Sequence, residues 1–350
     1  VVACQLPNWW QFTVTYLACS RIGAVINPLM HIFRERELNF MLKHGEAKVI
    51  IAPKTFRGFD FEQMIQGIQP NLPELKHIVV VDGQGANSYE ALLSGPAWEK
   101  DADAASILGA HRPGPDDITQ LIYTSGTTGE PKGVMHSANT VMANIIPYAQ
   151  RLQLDAEDVV LMASPMAHQT GFMYGLMMPI MLKASAVLQD IWEPKKAVEV
   201  INSEKASFTM ASTPFLTDLT KAVVDNKTPV PTLKTFLCAG APIPGPLVEQ
   251  ARAALGTKIV SAWGMSENGA VTLIALDDPD ERAFTTDGKP LAGVELKVVD
   301  TDGKTLPAGE AGKLYVRACS NFGGYLKRPH LNGTDAEGWF DTGDLARMDA

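Results

Sequence analysis

The chain has 350 residues, 46% hydrophobic and 20% charged, the balance of a folded protein with room for about two domains rather than of a disordered one. Its net charge of −9 argues against nucleic-acid binding, because phosphate backbones select basic surfaces. It leaves a nucleotide site open, since such a site needs local donors and a metal ion rather than a basic whole.

In chain order, residues 1–6 read as a strand, 9–21 as a helix, 24–27 as a strand, 33–44 as a helix and 48–52 as a strand. This alternation predicts a parallel sheet covered on both faces. Residues 94–117, with three prolines and several charges, read as a surface connection; a strand at 119–124, a Gly/Thr loop and a helix at 136–151 follow. A second alternating unit has strands at 159–163, 208–210, 235–238 and 258–262, with one helix opening at Pro194, a favoured first-turn position. Residues 159–182 carry no charge, but prolines, glycines, His168 and Gln169 break them up, so they read as a buried strand, a loop and a short helix rather than a membrane span. After about residue 281, short runs punctuated by DG, PAG and GG turns predict a small antiparallel, barrel-like β-unit. The expected division is 1–150, ending with the Gly/Thr loop and its helix, then 151–280 and 281–350. Cys4, Cys19, Cys238 and Cys319 lie far apart, and the seven histidines form no metal-type cluster. Four core thiols in a reducing cytoplasm are expected, with neither a disulfide framework nor a zinc site.

The strongest local signal is TSGTTGEPKG at 124–133, which holds three glycines, three threonines, a serine and a lysine. Glycines allow the backbone to turn successive N–H groups toward one anion. The hydroxyls of Thr124, Ser125, Thr127 and Thr128 add donors beside Gly126 and Gly129, and Lys132 brings a mobile positive charge. The set suits the β- and γ-phosphates of ATP, here read between a strand and a helix. It lacks the GxxxxGK[ST] spacing of P-loop kinases and ATPases.

This loop resembles that of the acyl-, aryl- and aminoacyl-adenylating superfamily. Further motifs of that family follow in its order: SPMAHQTG (164–171), CAGAP (238–242), AWGMSENG (262–269), GKLYVRA (312–318) and WFDTGD (339–344). The segments AHQTGF, VLQDIWEP and WGMSENGAVT are similar to those of cyclohexanecarboxylate–CoA ligase-like and short- or medium-chain fatty acyl-CoA synthetases. The resemblance implies the large N-terminal domain of that fold, made of two α/β subdomains with mostly parallel sheets and a small β subdomain. It also implies a reaction in two halves. A carboxylic acid and ATP give an acyl-adenylate and pyrophosphate; the thiol of CoA then takes the acyl group.

By the same resemblance Glu267 holds Mg²⁺, with Thr127 as a helper, and Lys132 assists catalysis. Asp344 takes both ribose hydroxyls, since one carboxylate can accept from a vicinal diol; Asp341 competes for that role or holds the turn. Gly240, Ala241 and Pro242 form a wall beside adenine that Trp263 faces, next to Gly264, Met265 and Ser266. His168, Gly171, Phe172, Thr213, Asn268 and Gly269 belong to the acyl pocket, with Tyr174, Phe215 and Val271 as further lining. By comparison with the family, both ends read as cut. About 70 N-terminal residues are missing, as is a C-terminal lid domain whose lysine contacts the substrate carboxylate. The 350 residues alone are then expected to bind ATP but turn over poorly, since loss of one preorganised donor costs roughly 10²–10³ in rate. Two alternatives remain, an amino-acid-adenylating domain of a peptide synthetase and a non-catalytic nucleotide-binding module. The first needs an Asp near SPMAHQTG, and none lies between Leu161 and Gly171.

Overall fold

The computed structural model describes residues 1–95, 97–100, 103–124 and 130–349. The first sheet contains β1 (Val2–Cys4), β2 (Ile26–Pro28), β3 (Val49–Pro53), β4 (His77–Val81), β5 (Ile118–Thr124) and β6 (Lys132–Ser137), in the order β4-β3-β1-β2-β5-β6. All pairings are parallel except β5 with β6. The connecting helices bury one stripe each. In Glu35–His44 the stripe is Leu38, Met41 and Leu42, the spacing that puts three side chains on one helix face.

The second sheet contains β7 (Val159–Met162), β8 (Ser185–Leu188), β9 (Phe208–Ala211), β10 (Thr235–Ala239), β11 (Lys258–Met265), β12 (Gly269–Leu273) and β13 (Lys289–Pro290). Its order is β8-β7-β9-β10-β11-β12-β13, parallel as far as β11 and antiparallel beyond it. The uncharged stretch after β7 forms a loop and the two short helices Gly171–Met177 and Met178–Leu182. Among the described residues no helix is long and apolar enough to cross a membrane.

Three sequence expectations change. The Gly/Thr loop does not lead into a helix. It joins two antiparallel strands, with Thr124 opposite Lys132, and the helix Ala138–Arg151 begins only after β6. The cause is the alternation in KGVMHS, which buries Val134 and His136 on one side, a period-two pattern that overrides the helical reading. Ser137 then caps the helix by accepting the Thr140 N–H at 3.2 Å. The last unit is an open sheet of β14 (Val294–Val299), β15 (Ala311–Ala318) and β16 (Phe340–Arg347), with no closed barrel among the described residues. Three short strands cannot curl far enough to close. Finally, Cys4, Cys19 and Cys238 are buried free thiols as expected, but Cys319 is exposed just beyond the end of β15.

One continuous apolar core lies between the two large sheets, with Phe12, Tyr148, Phe172 and Phe208 fully covered. A buried polar staple crosses the same interface. The carboxamide N–H groups of Asn8 face the carbonyls of Ser164 (2.9 Å), Gln189 (3.2 Å) and Met162 (3.4 Å), and its oxygen accepts from the Met166 N–H at 2.7 Å. One side chain of the first unit thus fixes the SPMAHQTG loop of the second.

Replacing Asn8 with Ala strands these buried partners. It is expected to lower the unfolding free energy by roughly 2–4 kcal/mol. Urea denaturation checks this as a lower midpoint at unchanged slope, while Ala at the exposed Asn226 should stay within about 0.5 kcal/mol of the unaltered chain.

Candidate active site

The β11–β12 hairpin sets the geometry. Its tip, Ser266–Asn268, is closed by the Asn268 carboxamide, which accepts the Met265 N–H at 3.2 Å, and by Gly269 in the left-handed region at φ +70°. A side chain at 269 would run into Asn144, whose amide donates to the Asn268 and Ala270 carbonyls at 3.1 and 2.8 Å. Behind the tip, His136 on β6 is fully buried and lies 2.8 Å from the Ser266 carbonyl through Nε2 and 2.9 Å from the Thr140 hydroxyl through Nδ1. Burial pushes its pKa down to about 4, so the ring is neutral and donates through Nε2–H.

Glu267 is held at this tip, 3% exposed, with its carboxylate on the wall of a cavity of about 950 Å³. The Tyr325 hydroxyl donates to Glu267 Oε1 at 2.6 Å and accepts from Lys132 Nζ at 3.0 Å, with the ammonium 4.4 Å from the ring centroid. Burial, then the carboxylate beside it, raise the Tyr325 pKa, so the phenol keeps its proton and remains the donor. The segment carrying Tyr325 is fastened along β6. Gly323 and Leu326 donate N–H groups to the Met135 and Gly133 carbonyls, both at 2.8 Å, and Met135 donates back to Gly324 at 3.1 Å. Gly324 has φ +111°, a conformation open to glycine, which brings the chain against Asn332.

The same cavity is lined by Thr124, Lys132, Gly240, Gly264, Met265, Ser266, Glu267 and Asp344, and also by His168 and Gly269. It also takes in Met30, Gln169, Tyr174, Met210 and Phe215, so charged and apolar groups line one cavity. Neighbouring protein crowds the His168 ring even though one edge meets the cavity solvent, and this desolvation holds its pKa below the usual value. Asp344 is exposed and accepts the Trp263 indole N–H at 3.0 Å. Asp341, also on the cavity wall, accepts from the Tyr315 hydroxyl of the neighbouring strand at 3.1 Å and from the Gly343 N–H within β16 at 3.0 Å, so it braces the irregular β15–β16 pairing.

Other expected residues lie off the wall. Ala241 and Pro242 are exposed beyond the end of β10, and Trp263 meets the site only through Asp344. Gly171 and Phe172 are core positions. A side chain at 171 would strike the Pro165 carbonyl, and Phe172 packs edge-on against Tyr16. Thr213 sits by the Cys238 sulfur at 3.6 Å, and Asn268 is spent on the hairpin. Ser125, Gly126, Thr127, Thr128 and Gly129 lie outside the described residues. Tyr325, His136 and Gln169 were not singled out from the sequence; the Gly-Gly before Tyr325 was the only local cue.

The sequence profile of AMP-binding enzymes matches residues 1–326. The chain is 37% identical over 350 residues to the medium-chain fatty-acid–CoA ligase of Escherichia coli (strain K12), covering 99% of this chain and 61% of that protein. It is 27% identical to a 2-hydroxy-7-methoxy-5-methyl-1-naphthoate–CoA ligase of Streptomyces carzinostaticus, across 99% of this chain and 63% of the relative. The chain therefore spans a little over three fifths of these relatives, at 61% and 63%. The fold is similar to the inhibitor-bound N-terminal domain of FACL13 from Mycobacterium tuberculosis, with a TM-score of 0.86, 23% identity, and coverage of 99% of this chain and 83% of the other.

Two outcomes follow from the buried groups. Tyr325→Phe leaves Glu267 Oε1 without its donor and is expected to destabilise the chain by about 1–3 kcal/mol, seen as a lower thermal midpoint. His136 binds a proton in the unfolded chain near pH 6.5 and in the folded chain only near pH 4. Its share of stability is present above pH 6.5 and lost as pH falls toward 4, on the order of 3 kcal/mol. The difference between unfolding curves of the unaltered chain and His136→Gln across that window measures it.

Proposed function

The chain belongs to the AMP-binding enzyme family, and from that premise we propose that it is the nucleotide- and acid-binding body of an ATP-dependent acyl-CoA synthetase. One observation carries the reading. A single cavity is lined both by Thr124, Lys132, Glu267 and Asp344 and by His168, Tyr174, Met210 and Phe215, and we take the first set as a nucleotide wing and the second as an acid wing. A triphosphate and a hydrophobic carboxylic acid need two such surfaces meeting at one point.

In this reading the phosphates lie between Lys132 and Glu267, and Asp344 accepts from the ribose hydroxyls, drawing on the loop 125–129 for further donors. The acid enters the apolar wing past His168. One of its oxygens attacks the α-phosphorus and pyrophosphate leaves; the CoA sulfur then attacks the acyl carbon and AMP leaves. Two anions must meet in the first step, so the residues act by alignment and charge compensation rather than as nucleophiles. His168 is neutral and shapes the carboxylate end of the wing.

Mg²⁺ fits the donor set. Glu267 commits Oε1 to Tyr325, Oε2 takes no hydrogen bond from the described residues, and Mg²⁺ beside phosphates needs only one or two carboxylates. When bound, it would neutralise phosphate charge. The carboxylates among the described lining residues are Glu267, Asp341 and Asp344, already engaged by Tyr325, by Tyr315 and Gly343, and by Trp263, which supports a simple carboxylic acid over an amino acid.

Pyrophosphate release from Mg-ATP, measured on these residues joined to the C-terminal domain that the resemblance implies, tests the reading. The panel is butyrate, octanoate, cyclohexanecarboxylate, benzoate and amino acids, with and without CoA. Release should require a simple carboxylic acid, yield its thioester when CoA is present, and fall by roughly 10²-fold or more in Glu267→Gln. Release driven by amino acids, or ATP binding with no release for any acid, overturns it.

A further inference from the structure

Among the polar groups that line the cavity without a part in the reaction, Ser164, Thr170 and Ser212 included, Gln169 belongs to a buried amide pair. Gln169 is 3% exposed and Gln120 behind it is 1% exposed, and their carboxamides pair reciprocally at 2.9 and 3.3 Å. Each carboxamide has two N–H donors and an oxygen with two lone pairs, and the reciprocal pair uses one of each. Among the described residues neither side chain makes a further hydrogen bond, so Gln169, on the cavity wall, keeps an N–H and acceptor capacity.

Gln120 is placed by β5. Alternate residues of a strand share a face, and Gln120, Ile122 and Thr124 form that set. Thr124 lines the cavity at the phosphate end, Ile122 packs with Tyr325 and Phe322, and Gln120 reaches Gln169. Four residues of strand separate the ends of this row, about 13 Å. Leu121 and Tyr123 face the opposite side, in a separate apolar cluster with Met41 and Leu42.

We propose that the Gln120–Gln169 amide pair stands on the path of the acid's tail and sets the chain length of the acid, favouring tails that stop short of it. This rests on the reading of the cavity given above. A tail that ends before the pair leaves water on the free N–H and oxygen of Gln169. A longer alkyl tail presses a methyl group against them and strips that water with nothing in exchange, which opposes the gain from burying further methylenes. A tail of the same length ending in a hydroxyl can replace the water, because a hydroxyl both donates and accepts.

Calorimetric titration of saturated carboxylates from butyrate to dodecanoate into the AMP-saturated chain reads this directly. Affinity should rise with each methylene, then stop rising or fall at one length. At that length, exchanging the terminal methyl for a hydroxyl should restore at least fivefold in Kd. In Gln120→Leu/Gln169→Leu, which removes both amides together and strands neither, the break should vanish. The Kd ratio of butyrate to dodecanoate should then rise at least tenfold. An unbroken rise through dodecanoate in the unaltered chain, or a hydroxyl that weakens binding at every length, overturns the proposal while leaving the synthetase reading intact. Failure of every carboxylate to bind overturns both. The hydroxyl comparison needs no substitution, so it decides the matter even if the double variant does not fold.

Discussion

One phenol holds the polar wing together. Tyr325 receives a hydrogen bond from Lys132 at the start of β6 and gives one to Glu267 at the tip of the β11–β12 hairpin. The ammonium and the carboxylate come from different sheets, and each would be costly to leave unpaired in partial burial. The hydroxyl between them separates the charges by one group and fixes both directions. Because burial and the adjacent carboxylate keep the phenol protonated, its donor role is set and does not vary near neutral pH. The rest of that wall serves to keep Tyr325 in place. The 323–326 segment runs along β6, Asn332 accepts its N–H at 2.8 Å, and the rings of Phe322 and Phe340 pack around it.

A second constraint aligns the two large units. The apolar core between the sheets is non-directional and by itself would tolerate sliding. Asn8 removes that freedom, since its carbonyl and N–H partners on the SPMAHQTG loop must be met at defined angles. The loop it fixes carries His168 and Gln169. The two wings of the cavity are therefore positioned by two polar contacts, Tyr325 on the nucleotide side and Asn8 on the acid side, set into otherwise apolar packing.

Much of the fold was legible because it depends on near neighbours. Runs such as KVIIA at 48–52 and TFLC at 235–238 are short, apolar and bounded by turns, and they are strands, whereas the strand at 77–81 was not read from the sequence. The helix at 35–44 follows the spacing of its buried leucines and methionine. The error at β6 has the same origin. A six-residue alternating run directly before a longer helical run reads as the helix's first turn, and only pairing with β5 reveals it as a strand. Within the site, Lys132, Glu267 and Asp344 were visible through their motifs, and all three reach the cavity. Phe172 and Trp263 sit in the same motifs but turn elsewhere, one into the core and one to brace Asp344.

By itself, the sequence determined the succession of strands and helices, the motifs that mark the adenylating superfamily, and the identity of the main charged groups. These depend on periodicity and on residues that stand next to one another. The tertiary structure alone decided which side chains meet. Tyr325 finds Glu267 across 58 residues and Lys132 across 193, Gln120 finds Gln169 across 49, and Asn8 finds Ser164 across 156. A tyrosine, a glutamine or an asparagine carries no local signature of its partner. Its role comes from the sheet register and the angle at which two sheets pack, and neither is written in any short stretch of chain.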